Sequence, residues 1–208
     1  GVRIQTNEES GTGGSGGWHE GTMEYVQGVY IANSHFVDIF GCNFEPTKTA
    51  WQRMVYIIDS TDINIKSCTV KANNTCIYAL SASDITIEDN RLEIGSNPGG
   101  TNKGFVTVES TYALCDKITI RRNTMVGSVA AGIRFVSPAN KVDNVLIEGN
   151  DTRRAVASDP RFLFVDTTPS GSYTGGTRGR IISKGNTGPA APTLQNSLDF
   201  PFWIHDGN

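Results

Sequence analysis

Long apolar runs are missing from this chain of 208 residues. Nothing in it approaches the roughly 20 apolar residues of a membrane helix, and nothing at its start reads as a secretory signal. Apolar residues at helical spacing are also missing over any useful length, which argues against a helical bundle. An excess of one charge is missing too. The net charge is −3 and both signs are interspersed, whereas a nucleic-acid partner calls for a basic stripe. Cysteine is sparse: Cys42, Cys68, Cys76 and Cys115 are spaced 26, 8 and 39 residues apart, which is no zinc pattern. His19, His35 and His205 match no metal spacing, so neither a metal nor a cofactor is expected. Gly-x-Ser-x-Gly and phosphate-binding loops are absent.

What the chain does have is a repeat. An apolar-any-apolar triplet is followed, three residues after its last member, by Asn or Cys. The motif is Val37-Asp38-Ile39 with Cys42, Ile63-Asn64-Ile65 with Cys68, and Ile85-Thr86-Ile87 with Asn90. It returns as Ile118-Thr119-Ile120 with Asn123 and Val145-Leu146-Ile147 with Asn150. Spacings of 26, 22, 33 and 27 residues suit a solenoid whose loops vary in length. A second triplet precedes each: Val29-Tyr30-Ile31, Val55-Tyr56-Ile57, Ile77-Tyr78-Ala79, Val106-Thr107-Val108 and Ile133-Arg134-Phe135, with residues 162–165 as a sixth. Short Val- and Ile-rich alternations read as strands with one buried face. Two or three such strands per repeat predict an all-β, right-handed, single-stranded parallel β-helix of about six to seven coils.

Neighbouring coils lie one strand spacing apart, roughly 4.8 Å, so equivalent residues touch and opposite charges should alternate up a column. They do in Lys66, Glu88, Arg121 and Glu148, and again in Glu45, Lys71 and Glu93; Asp89 faces Arg122. Five isoleucines, Ile39, Ile65, Ile87, Ile120 and Ile147, are expected in one buried column. The Asn column is read as structural, because Asn tolerates left-handed backbone at turns and its amide can bond to its counterpart one coil away. The cysteines are expected as free, buried thiols.

With its paired triplets, its Asn turn and a glycine before a triplet at Gly28, Gly104 and Gly132, the chain resembles the pectin lyase-like right-handed β-helix superfamily, including phage tailspike and depolymerase domains. The likeness covers roughly residues 1–187. It implies a protein that binds, and in many members cleaves, a bacterial surface polysaccharide. It also implies a homotrimer on a virion tail or outside the cell, made in a reducing cytoplasm if phage-encoded. A secreted polysaccharide lyase or epimerase, and a purely structural or adhesive spike segment, remain as alternatives. The Asn-Thr-Asp, Gly-His-Gly and Arg-Ile-Lys motifs of polygalacturonases are absent, as are the Arg and Pro motifs of pectate lyases.

Domain organisation is read as one β-helix over 1–187, with a Gly- and Ser-rich insertion at 8–27, and an aromatic extension over 188–208 that caps the helix or meets another subunit. Val2-Arg3-Ile4 with Asn7 matches the second triplet, so the chain is expected to open inside a coil. Long loops are placed at 46–53, 95–103, 153–161 and 169–179. Arg180-Ile181-Ile182 fits the repeat only with an extra residue before Asn186.

Candidate chemistry lies on outward columns. Tyr30, Tyr56, Tyr78, Thr107 and Arg134 form one, with tyrosine faces that suit sugar rings. The same column also suits a self-supporting ladder or a subunit contact. Glycoside hydrolysis uses two carboxyl groups, about 5–5.5 Å apart for retention and 6.5–9.5 Å for inversion. Asp59 and Glu109 flank the tyrosines two coils apart and are the catalytic candidates; Asp166 holds the place of Glu109 two triplets on. Asp62 and Asp84, one coil apart, are read as structural, with Lys117 next in their column.

Overall fold

The computed structural model describes residues 3–6, 26–46, 52–95, 104–111, 113–129, 131–136, 142–157, 163–166, 180–188 and 202–206. Every strand among them belongs to one of three parallel sheets. Sheet A stacks Arg3–Thr6 (β1), Asn43–Pro46 (β4), Thr69–Ala72 (β7), Arg91–Ile94 (β10), Thr124–Val129 (β13) and Asp151–Ala157 (β16). Sheet B stacks Val26–Ala32 (β2), Gln52–Ile58 (β5), Thr75–Leu80 (β8), Gly104–Glu109 (β11), Ala131–Val136 (β14) and Leu163–Asp166 (β17). Sheet C stacks His35–Phe40 (β3), Thr61–Lys66 (β6), Ser83–Glu88 (β9), Ile118–Arg121 (β12), Val145–Glu148 (β15), Arg180–Lys184 (β18) and Phe202–Asp206 (β19). From β2 to β18 the chain runs B, C, A in turn, as a right-handed parallel β-helix does, and β19 adds to sheet C beside β18.

The predicted registers hold. Ile39 pairs with Ile65, Ile65 with Ile87, Ile87 with Ile120 and Ile120 with Ile147. All five are buried, the last four completely. Sheet A adds Phe44, Val70, Leu92 and Met125 to the same interior. The charge columns close as ion pairs: Lys71 Nζ reaches Glu45 at 2.9 Å and Glu93 at 3.8 Å. Glu88, 5% exposed, meets Lys66 at 3.6 Å, Arg121 at 2.9 Å, and Arg122. Lys184 extends that column, 2.9 Å from Glu148.

Three expectations need correction. Arg3–Thr6 pairs with β4, Ile4 beside Phe44, so it lies in sheet A and is not a second-triplet strand of sheet C. Strands of sheet A alternate like those of sheet C, so a short apolar-any-apolar run cannot tell one sheet from the other. Asn186 needs no extra residue before it: Ile181 pairs with Val145 and Ser183 with Ile147. The triplet is Ile181-Ile182-Ser183, hidden because a buried serine takes the isoleucine's place and its Oγ accepts from Asn186 Nδ2 at 3.1 Å. Beyond these corrections, the segment expected as a cap or subunit contact contributes β19, one more rung of sheet C. Val26 and Gln27 belong to β2 and residues 153–157 to β16, both first read as loop. The register of β16 slips by one residue between Thr124 and Val126, and that irregularity breaks the pattern. Most of the 8–27 insertion lies outside the described residues.

The Asn column differs from expectation in one detail. Left-handed backbone falls on the residue before it: Gly41, Ser67, Asp89, Arg122, Gly149 and Gly185, with φ from 52 to 64°. Asn itself must keep its amide inside the corner, so the sharp turn is taken one position earlier, by glycine in three cases. Asn90 donates its backbone N–H and its Nδ2 to Asn123 Oδ1, both at 3.0 Å. Asn123 does the same to Asn150 Oδ1 at 3.0 and 2.9 Å, and Asn150 to Asn186 Oδ1 at 2.9 and 2.8 Å. The second amide proton goes to the carbonyl of Ile65, Ile87 or Ile120 at 2.8–3.0 Å. Interior corner groups that no strand can pair are thereby satisfied. At the start of the column Cys68 N donates to Asn90 Oδ1 at 2.9 Å, and Cys42 N meets Cys68 Sγ at 3.4 Å, a weaker acceptor.

Asn123→Ala removes the acceptor of two buried donors and should cost about 3 kcal/mol or more. Ile87→Ala should cost about 2–5 kcal/mol, because coils on both sides prevent collapse into the cavity. Urea unfolding of the two variants checks both values.

All four cysteines are free; Cys68, Cys76 and Cys115 are buried and Cys42 is half-buried. Burial raises the thiols of Cys68 and Cys76 and pushes that of Cys115 up to about 11. Ellman's reagent at pH 8 should therefore label Cys42 alone in native protein and all four cysteines after denaturation.

Candidate functional site

Strand bounds show where the coil tolerates insertion. The C-to-A corner takes two residues at 41–42, 67–68, 89–90, 122–123 and 149–150. Between β4 and β18 the connections that vary, 47–51 and 95–103 from sheet A to B, and 110–117, 137–144 and 167–179 from sheet B to C, border sheet B, whereas 185–201 joins two strands of sheet C. The buried amide ladder explains this: an insertion at its corner would break a continuous chain of hydrogen bonds. Function on a solenoid collects where loops can vary, and here that is around the outer face of sheet B.

The expected column is in register there. Tyr30 pairs with Tyr56, Tyr56 with Tyr78, Tyr78 with Thr107 and Thr107 with Arg134. The tyrosines meet edge to face, with ring centroids 5.5 and 5.2 Å apart. Their exposure is unequal: Tyr30 is 42% exposed, Tyr56 8%, Tyr78 9% and Thr107 2%. Tyr56, Tyr78, Ile58 and Leu80 form a small apolar cluster on this outer side. The Arg53 guanidinium lies over it, 3.9 Å from the Tyr78 centroid and 5.4 Å from that of Tyr56. Only Tyr30 offers substantial open ring area in this state.

Glu109, half-buried at the end of β11, accepts from the Tyr78 hydroxyl and from Thr111 Oγ1, the latter at 2.6 Å. Burial, then the Glu109 charge, holds the Tyr78 phenol well above its ordinary range. Thr107 Oγ1 is buried without a hydrogen-bond partner. Asp59 is exposed at the B-to-C corner with φ 46°, its N–H donating to the Leu80 carbonyl at 3.1 Å. Leu80 pairs in turn with Glu109, so Asp59 and Glu109 stand two coils apart, roughly 10 Å between backbones. Arg134 is half-buried in the tyrosine column. Asp166 follows Glu109 and Val136 in register.

Arg53 and Thr111 were missed by the sequence reading. Arg53 precedes the Val55 triplet by two residues, a place that no rule of strand alternation marks as lying over the tyrosines.

Sheet C carries a separate open groove of about 410 Å³, lined by Phe36, Asp38, Asp62, Asn64, Asp84, Thr86, Lys117 and Thr119. Its carboxylates are occupied: Asn64 donates to Asp38 at 2.8 Å, Thr61 to Asp62 at 3.1 Å, and Lys117 lies 3.2 Å from Asp84. Phe36, Asp62, Asp84, Lys117 and Asn144 all have left-handed backbone, with φ from 47 to 58°.

The coil architecture, the amide ladder and the loop-bordered sheet define a class. A family model described as a right-handed β-helix region matches residues 23–159, and the chain belongs to that family. No curated protein and no solved structure matches it.

Tyr78 makes one pH prediction. A phenol whose folded pKa is raised stabilises the fold below its unfolded value, near 10, and that contribution is lost as pH rises further. Tyr78→Phe should cost about 1 kcal/mol near neutrality and should flatten the stability loss above pH 10 relative to the parent, as read by denaturant midpoints against pH.

Proposed function

We propose that this β-helix binds an extended polysaccharide across the outer face of sheet B and cleaves it, with Asp59 and Glu109 as the acid–base pair. The observation that carries the reading is the gathering of the variable connections around that one sheet, whose face bears Tyr30, Arg53, Glu109 and Arg134. Parallel coils repeat at roughly 4.8 Å, close to the length of one sugar unit, so an extended glycan and the coils share one period. Tyr30 offers a stacking face, Arg134 a partner for acidic groups, and Glu109 a carboxylate held by two hydroxyls. A separation of roughly 10 Å between the backbones of Asp59 and Glu109 lets their side chains turn toward the inverting spacing.

The natural substrate on this reading is a bacterial surface polysaccharide, and the setting a trimeric tailspike or tail fibre. A secreted lyase or epimerase is the rival enzyme. A structural or adhesive role gains weight from the burial of Tyr56 and Tyr78, which takes two of the three ring faces out of reach.

Incubation with purified capsular polysaccharides and lipopolysaccharides tests the activity. New reducing ends mark hydrolysis and absorbance of unsaturated uronates marks elimination. Asp59→Asn and Glu109→Gln should each lower turnover by about 10²-fold or more and leave binding within about twofold of the parent. Unchanged turnover in both variants would remove these residues from the mechanism.

A further inference from the structure

We infer that Cys42 and Cys68 form a redox-active pair, which a peroxide closes into a disulfide that ties two successive coils together. The inference goes beyond the proposed function and does not depend on what sheet B binds. Asn holds the ladder corner in four coils, and cysteine holds it in two that are adjacent. The exchange weakens the hydrogen bonding, since sulfur is the poorer acceptor. What two neighbouring thiols gain is the capacity to join.

The geometry suits that reaction. Phe40 pairs with Lys66 and Asn43 with Thr69, so the two corners between them superimpose. Their backbones stand one strand spacing apart, roughly 4.8 Å, inside the roughly 4.4–6.8 Å Cα separation of disulfides. Side chains stacked along a sheet run parallel, which disfavours a bond between them. Here the Cys68 sulfur leans into the neighbouring coil: it lies 3.4 Å from Cys42 N and 3.6 Å from the Ile39 carbonyl oxygen. Burial raises the Cys68 thiol, and a hydrogen bond between the two side chains adds to that rise. The two thiols therefore already meet. The corner has room to close the remaining gap, because Gly41 is exposed and open space lies where a side chain on it would stand.

Cys42 is half-buried and Cys68 buried, so a peroxide meets Cys42 first. The O–O bond breaks, a Cys42 S–O bond forms, and the thiol proton leaves with the other oxygen as water. The sulfur is oxidised by two electrons to a sulfenic acid and the peroxide is reduced. Cys68 then attacks the Cys42 sulfur. The S–S bond forms, the S–O bond breaks, and the Cys68 proton leaves with that hydroxyl as a second water. The cross-link fastens the coil that carries β3 and β4 to the coil that carries β6 and β7, where sulfur has replaced the amides of the ladder.

Hydrogen peroxide added to the full chain, followed by catalase, tests the pair. The intact mass should fall by two hydrogens, and a non-reducing tryptic digest should contain peptide 67–71 joined to the peptide that carries Cys42. Dithiothreitol should reverse both. The oxidised protein should show a higher urea midpoint, with an unfolding equilibrium constant about tenfold or more below that of the reduced protein. Cys68→Asn restores the ladder amide, which favours folding, and should leave Cys42 as a sulfenic acid that dimedone labels, with no cross-link. Cys42 recovered from the parent as sulfinic or sulfonic acid, without a cross-linked peptide, overturns the pair. So does a Cys42 disulfide between two molecules, and so does treated protein whose four thiols all still react after denaturation. A cross-link that leaves the urea midpoint unchanged overturns the tie between coils.

Discussion

A buried column of amides sets the geometry of this protein. Each coil must turn from sheet C into sheet A, and the turn places backbone N–H and carbonyl groups inside, where no strand can pair with them. Asn90, Asn123, Asn150 and Asn186 solve the problem together: the amide oxygens of the last three each take two protons from the coil before, and that of Asn90 takes one from Cys68 N. The solution works only when successive corners superimpose. That forces a two-residue corner, a left-handed residue ahead of each Asn, and a common register at the start of each strand that follows, with the one slip coming inside β16. Where sulfur replaces the amide at Cys42 and Cys68 the bond is longer, 3.4 Å, and the ladder fades at that end of the described coils.

Once register is fixed, the surface columns are fixed too. Charges that would repel in a shifted alignment fall into alternation, and Glu88 can be buried because Lys66, Arg121 and Arg122 arrive from the coils on either side. The same constraint decides where the protein can vary. Insertions are excluded from the ladder corner and collect at the two borders of sheet B. Sheet B therefore has the freedom to carry a site, and sheets A and C carry mainly the regularity that supports it.

Period and register could be read from the sequence because both are local and repeated: an Ile three residues before an Asn or Cys is visible five times over. Assignment to a sheet was less legible, as Arg3–Thr6 shows, because two sheets share one alternation. A single polar substitution also hid a whole rung when Ser183 stood in the isoleucine column. The candidate site was legible only as columns. Which residues align on sheet B follows from the triplets, and Tyr30, Tyr56, Tyr78, Thr107 and Arg134 do align. How open they are depends on a side chain folding across strands, and Arg53 announces that by no pattern.

The two outward faces make a useful contrast. Sheet C presents an open groove, yet its carboxylates already have partners: Asp38 has Asn64, Asp62 has Thr61 and Asp84 has Lys117. A ligand entering there would have to break contacts worth as much as those it made. Sheet B is buried on its outer side, as parallel sheets commonly are on both sides; the Arg53 guanidinium lies over the Tyr78 ring, and the Thr107 hydroxyl next in that column stands unpaired. Binding free energy is a difference between states. An open surface whose groups are satisfied has little to gain from a ligand. A buried hydroxyl with an unmet hydrogen bond gains more from a partner than a group already paired does. Exposure alone would have chosen sheet C; the unpaired hydroxyl between Tyr78 and Arg134 points to sheet B.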